Sequence, residues 1–176
     1  MKINKNIVVA GIAFTTILFL MRNKIYGAVW DLVSEQRIKK LHPSIQNKVR
    51  RFIHLADQQG IKLRVTDGLR TFSEQDSLYA KGRTKPGKIV TNAKAGESYH
   101  NYGLAIDVVP MINGKPNYKD DYIKIAQIGK SLGFTWGGDF KSIDDKPHFH
   151  DTFGNSIADL QKKLISNQMQ NGFVTV

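Results

Sequence analysis

The sequence contains no cysteine, which excludes disulfide staples and thiolate-ligated metals alike. It is also poor in acids: 15 Asp and Glu stand against 26 Lys and Arg, giving a formal net charge of +11. That balance favours polyanionic surroundings, which include nucleic acid, anionic lipid headgroups and the teichoic and carboxylate groups of a cell wall. No RNA-binding signature occurs, and aromatics are not interleaved with the basic residues, so nucleic acid is not expected as a partner. No internal repeat is visible. What is present suits one domain with a real core: 176 residues, 41% apolar and 23% charged, the ordinary composition of a globular chain.

Apolar character is concentrated at the N-terminus. Lys2 and Lys5 precede an uncharged run, Ile7 to Met21, that is closed by Arg22 and Lys24. As a helix this run would reach about 22 Å, short of the roughly 30 Å hydrocarbon core of a bilayer. Its length suits a secretory signal, yet no A-x-A-like cleavage site follows. Residues 1–24 are therefore read as an export signal or membrane anchor, the uncleaved anchor being preferred. Residues 25–40 are read as a connector, 41–166 as the folded domain and 167–176 as a flexible tail.

Within the domain, Pro43 to Gln59 reads as a helix with Ile45, Val49, Phe52 and Ile53 on one stripe. IKLRVTDGLR (61–70) alternates like a strand and breaks at Asp67-Gly68. A second helix follows, with Ser73 as its expected N-cap, and residues 83–97 form a long loop. YGLAIDVVPMI is a strand ending in an Asn-Gly turn, Asp120–Leu132 a helix, KPHFHDTF a further strand and Ser156–Ile165 a last helix. Helices alternating with mostly antiparallel strands predict an α+β fold, a small sheet flanked by helices.

One residue conflicts with its surroundings. Asp107 lies inside an apolar strand, where a carboxylate without a partner costs several kcal/mol. It needs a cation. His100, at the loop entering the strand, could share a metal with it, and a third ligand could come only from DDKPHFH (144–150). His148 and His150 point to one face of a strand, so either could serve. Asp145 lies three residues before His148, across a proline, where a general base could stand beside a metal. By itself the His100–Asp107 spacing is a weak signal, because a lone strand histidine is more often simply packed.

SYHNYGLAID (98–107) resembles the S-x-H-x-x-G-x-A-x-D motif of zinc peptidases that cleave peptidoglycan stem peptides. These comprise D-alanyl-D-alanine carboxypeptidases of the VanY and VanX type and L-alanyl-D-glutamate endopeptidases of phage endolysins and sporulation enzymes. GLRTFSEQDSLYAKGRT (68–84) is similar to the family's arginine-bearing segment, and WGGDF…DDKPHFH to its C-terminal motif. The resemblance spans about residues 41–153 and implies a Hedgehog/D-Ala-D-Ala-peptidase-like fold. It implies zinc (Zn2+) on His100, Asp107 and His148, with water in the fourth position. It further implies Asp145 as the base that deprotonates this water and Arg70 as donor to the oxyanion or to a substrate carboxylate. Ser98 is implied as a substrate contact or a support for His100. His150 falls where many relatives carry another residue, so its role stays open.

The resulting expectation is an exported, zinc-dependent peptidoglycan peptidase, monomeric, held at the membrane by its N-terminal segment or secreted. Asp rather than Glu before the zinc histidine favours L-alanyl-D-glutamate endopeptidase, with the VanY-type carboxypeptidase as the alternative. Two other classes compete: a zinc-containing cell-wall binding module without catalysis, as in the amino-terminal domain of Hedgehog proteins, and a basic membrane-surface protein with a structural metal. Such an enzyme would serve the bacterium itself, or a phage or injection device that breaches its wall.

Overall fold

The computed structural model describes residues 31–176. The expected export signal or anchor, residues 1–24, lies outside them. Among the described residues no helix is long and apolar enough to cross a membrane.

Helix α1 (Leu32–Ile38) and helix α2 (Pro43–Gln58) come first, joined by a turn. Pro43 opens α2 where its missing N–H costs nothing, and the His42 ring caps the helix by accepting from Ser44 N at 3.2 Å. Ile45, Val49, Phe52, Ile53 and Ala56 recur at helical spacing and are buried. They pack under a sheet built from β1 (Leu63–Asp67), β2 (Ala105–Ile112), β4 (Thr135–Trp136) and β5 (His148–His150), with the short β3 (Lys115–Pro116) closing a hairpin on β2. The strand order is β1-β2-β5-β4 and every pairing is antiparallel. Phe149 points from β5 into the core and meets Phe52 edge-on at 4.9 Å. Helix α3 (Phe72–Ala80) follows β1, α4 (Ile123–Ser131) packs beside α2, and α5 (Ile157–Ile165) follows β5. The α+β architecture is the expected one.

Three boundaries differ from the sequence reading. The cap of α3 is Thr71, not Ser73: Thr71 Oγ1 accepts from Glu74 N while the Glu74 carboxylate accepts from Thr71 N, a reciprocal box that Ser73 could not make. The compact unit begins at Val33, because Ile38 and Leu41 are buried, so part of the expected connector belongs to the domain. The expected flexible tail instead folds as a hairpin, β6 (Met169–Gln170) and β7 (Phe173–Val174). Val174 is buried against Tyr102, Leu104 and Leu160, and its carbonyl lies 2.9 Å from His42 Nε2.

Register is what matters for the site. Asp107 on β2 stands opposite His148 on β5 and opposite Asp67 on β1. A bulge between Val65 and Asp67 sets the second pairing. Without that extra residue Asp67 would face away from Asp107, since side chains alternate along a strand.

Candidate metal centre and its cleft

A short 3-10 turn, Tyr99–Tyr102, delivers His100 to the end of β2. The turn starts at Ser98, whose Oγ accepts from His100 N at 3.3 Å, and stops at Gly103. Gly103 has φ +69° and sits so close to His42 N that a Cβ would approach it to 2.7 Å, so both conformation and space demand glycine. Sequence reading treated this stretch as loop, because four residues are too few to show a period.

His100 is buried, and its Nδ1 lies 2.7 Å from the Gly68 carbonyl oxygen. A carbonyl only accepts, so Nδ1 carries the proton and Nε2 presents a lone pair inward. Nε2 lies 3.2 Å from Asp107 Oδ1 and 3.1 Å from His148 Nδ1, and that nitrogen is itself 3.3 Å from the same oxygen. Asp107 Oδ1 is completely buried and accepts no hydrogen bond. Ligand atoms of His100, Asp107 and His148 all fall within 4.8 Å of one another. Two imidazoles and a carboxylate aimed at one point are the donor set of a zinc site that leaves a position open.

Electrostatics agree with that fit. Burial alone would raise the Asp107 pKa, but electrostatic attraction to His100 and His148 overrides it and holds the carboxyl far below its usual range. Burial likewise pushes His100 toward neutrality, and Asp107 outweighs it, raising the pKa. The cluster draws positive charge, which a metal ion would supply in place of protons.

His150 is not aimed at this point. Its Nδ1 lies 3.0 Å from His148 Nε2, and its ring stacks on Tyr99 at 4.4 Å. Burial and the charges of His148 and His100 bring its pKa down to about 3, so it is a neutral acceptor. If His148 Nε2–H donates to it, His148 Nδ1 keeps a lone pair for the cluster.

The cluster forms the floor of a cleft of about 690 Å³. Arg70, Ser98 and Asp145 all line it. Asp145 is held from behind: its N–H donates to Gly137 O at 3.3 Å, its carbonyl accepts from His148 N at 3.1 Å, and Trp136 Nε1 donates to the Lys146 carbonyl at 2.7 Å. A Cβ on Gly137 would collide with the Asp145 carbonyl and come within 2.8 Å of His148 Cβ, so this close approach needs glycine. The indole and Gly137 thus serve the Asp145 turn. Burial raises the Asp145 pKa and the Asp107 charge adds to it, against the opposing pull of His148, His100 and Arg70. Asp144 points away and pairs with Lys146 at 3.5 Å, and Asp139, at the surface, pairs with Lys130 at 2.6 Å.

Sequence reasoning missed the residues that hold Arg70. Its Nε donates to Asp67 Oδ2 at 3.2 Å, Nη2 pairs with the same oxygen, and Nη1 donates to Gln75 Oε1 at 2.7 Å. A signal existed: Gln75 is a polar residue on the inward face of α3, buried completely, and such a side chain must have partners.

Residues 91–151 match the family model described as D-alanyl-D-alanine carboxypeptidase. The peptidoglycan L-alanyl-D-glutamate endopeptidase CwlK of Bacillus subtilis is 44% identical over 119 residues, which are 61% of this chain and 71% of that protein. The chain belongs to this peptidase family. An L-alanyl-D-glutamate peptidase of a Listeria phage is 29% identical over 134 residues, covering 69% of this chain and 44% of the phage protein. The L-Ala D-Glu endopeptidase ChiX of Serratia marcescens superposes with a TM-score of 0.50 at 29% identity, over 69% of this chain and 87% of ChiX. The vancomycin-resistance D,D-pentapeptidase VanY, solved with Zn(II), has a TM-score of 0.50 at 20% identity, over 62% of this chain and 71% of VanY, a likeness of fold. Family members are zinc-dependent, and the His100–Asp107–His148 cluster is suited to that ion.

Proposed function

We propose that this enzyme hydrolyses the L-alanyl-D-glutamate bond of peptidoglycan stem peptides outside the cytoplasm. The observation that carries the reading is the 44% identity over 119 residues to an endopeptidase of that specificity. In this reading His100 Nε2, Asp107 Oδ1 and His148 Nδ1 hold zinc. When bound, zinc supplies Lewis acidity, polarising an oxygen and lowering the pKa of a water toward neutrality. Asp145 is the base that accepts the proton of the attacking water and passes it to the departing amine. Arg70 donates to the oxygen on which charge develops or to a carboxylate of the substrate. Ser98 supports the turn that carries His100, and His150 fixes the His148 tautomer.

The presence of Asp145 and Arg70 in the cleft supports catalysis over a binding module that keeps only the metal. Residues 7–21 are proposed to hold the chain at the membrane with this domain outside, acting as a monomer.

Mass spectrometry of muropeptides digested by the full-length, zinc-loaded protein tests the reading. New amino termini at D-glutamate are expected. Loss of a terminal D-alanine alone would show the carboxypeptidase instead, and intact muropeptides with stoichiometric zinc would show the binding module. Recovery of intact chain from the cytosol on fractionation would defeat the anchor.

A further inference from the structure

Arg70 enters the cleft already paired. A guanidinium carries five N–H bonds. Asp67 takes one from Nε and one from Nη2, and Gln75 takes one from Nη1. Gln75 is in turn fixed by donating to the Ala93 carbonyl at 2.7 Å, so the fork cannot swing away. Two N–H bonds remain, one on each terminal nitrogen, and Nη2 stands 3.9 Å from Asp107 Oδ2, beside the metal cluster.

Asp67 lines the same cleft, and its carboxylate cancels the charge of Arg70 without consuming all its donors. With zinc bound, the dication and the guanidinium are matched by Asp67, Asp107 and Asp145. A carboxylate gains over a neutral oxygen mainly by coulombic attraction to the donor's charge, and it gains most when that charge is unopposed. Here it is opposed. The site keeps the means to bind an oxygen while losing most of the reason to prefer a charged one.

In a stem peptide the residue after the scissile bond is D-glutamate, extended through its γ-carboxyl. Its α-carboxyl is therefore either a free carboxylate or, as D-isoglutamine, a neutral carboxamide. We propose that Asp67 is a specificity-determining residue that, by neutralising Arg70, lets the cleft accept stem peptides amidated at the second residue as readily as those with a free carboxylate. This rests on the L-alanyl-D-glutamate reading above.

Two peptides differing only in that group, L-Ala–γ-D-Glu-L-Lys and L-Ala–γ-D-isoGln-L-Lys, give the test. The zinc-loaded wild type is expected to cleave them with kcat/KM values within fivefold of each other. In Asp67→Asn the ratio should move toward the acid by roughly tenfold, because the guanidinium's attraction for the carboxylate is no longer cancelled. A wild type that prefers the acid by fivefold or more, or a variant whose ratio moves less than threefold, overturns the proposal. Calorimetry on the wild type, using analogues whose scissile amide is reduced to an amine, makes the test independent of how the variant folds. Dissociation constants within fivefold support the proposal, and a larger preference for the acid overturns it. A wild type that cleaves neither peptide overturns the L-alanyl-D-glutamate reading and this inference with it, whereas cleavage of both with an unmoved ratio removes only the inference.

Discussion

The floor of the cleft and its rim are built differently. On the floor, Asp107 and His148 face each other across two hydrogen-bonded strands, and His100 is locked by the Gly68 carbonyl. Toward the rim, in the segment that reaches the cleft at Val90, residues 81–90 are all exposed and carry Lys81, Arg83, Lys85 and Lys88 with no acid among them. The floor is set by backbone pairing that a side-chain change can hardly move, while the rim can vary without disturbing it. The first region carries the metal donors, and the second a run of positive charge that favours anionic surroundings. Asp145 lies between them: it lies on a turn rather than in the sheet, and Gly137 and Trp136 hold that turn at the strand ends.

Removing a floor ligand should have the largest effect. His100→Ala, Asp107→Ala and His148→Ala are each expected to lose zinc and all hydrolysis of purified peptidoglycan, measured by elemental analysis and release of free amines. His150→Ala should remain loaded at saturating zinc but bind it roughly 10–100-fold more weakly, as for loss of a partner that orients a ligand. Equal zinc loss from His148→Ala and His150→Ala would place both rings at the metal and redraw the floor.

Next comes Asp145→Asn, expected to retain zinc yet reduce kcat by about 10²–10⁴. Asp144→Asn should behave as wild type, since that carboxylate pairs with Lys146 outside the cleft. Burial and Asp107 favour the protonated form of Asp145, so in zinc-free protein its carboxyl should titrate above the ordinary 3.8, and zinc should draw it down. A base works only when ionised, so kcat/KM should rise with pH through that titration, and the Asn variant should lack this limb. NMR titration and pH–rate profiles report the two halves. An unchanged acid limb in the variant would assign the base elsewhere.

A smaller effect is expected from Gly137→Ala, which forces the Asp145 carbonyl and the His148 side chain apart. Overpacking of this kind costs about 1–3 kcal/mol and should lower both Tm and kcat. Loss of Tm alone would mean that the turn relaxes without moving Asp145.

The smallest effect belongs to the exposed cap of α3. Hydrogen bonds from the Thr71 backbone and hydroxyl lower the Glu74 pKa below its ordinary 4.5. A carboxyl depressed on folding stabilises the fold above its unfolded pKa and loses that contribution as pH falls through the folded one. Glu74→Gln should therefore lower Tm slightly at neutral pH and not at all in strong acid. A Tm difference that persists in acid would trace the effect to packing instead of charge.

The contrast between regions also explains what could be read from residues alone. The conflict posed by Asp107 in an apolar strand was legible because period-two alternation and desolvation cost are local properties, whereas the choice of His148 and the role of Asp145 came from the resemblance of the 98–107 and 144–150 segments to the family's motifs. Helix α2 was legible because helical spacing is local too. Asp67 and Gln75 were not: one depends on a bulge and the other on where a loop carbonyl, Ala93 O, ends up, and neither leaves a periodic trace. The C-terminal hairpin was missed because two-residue strands have no alternation to detect, and its stability comes from a distant His42 ring and the Leu160 cluster.

The row Asp67–Asp107–His148 has a consequence for how such a chain can change over time. Because the three are neighbours across strands, the chain between them makes two excursions, 68–106 and 108–147, whose lengths the row does not count. Insertions or deletions in the outer parts of those excursions alter what the cleft can grip. A single added or lost residue within β2 turns Asp107 to the opposite face of the sheet and abolishes the centre at a stroke. The molecule is thus tolerant of length changes where it meets its substrate and intolerant of them where it holds its metal.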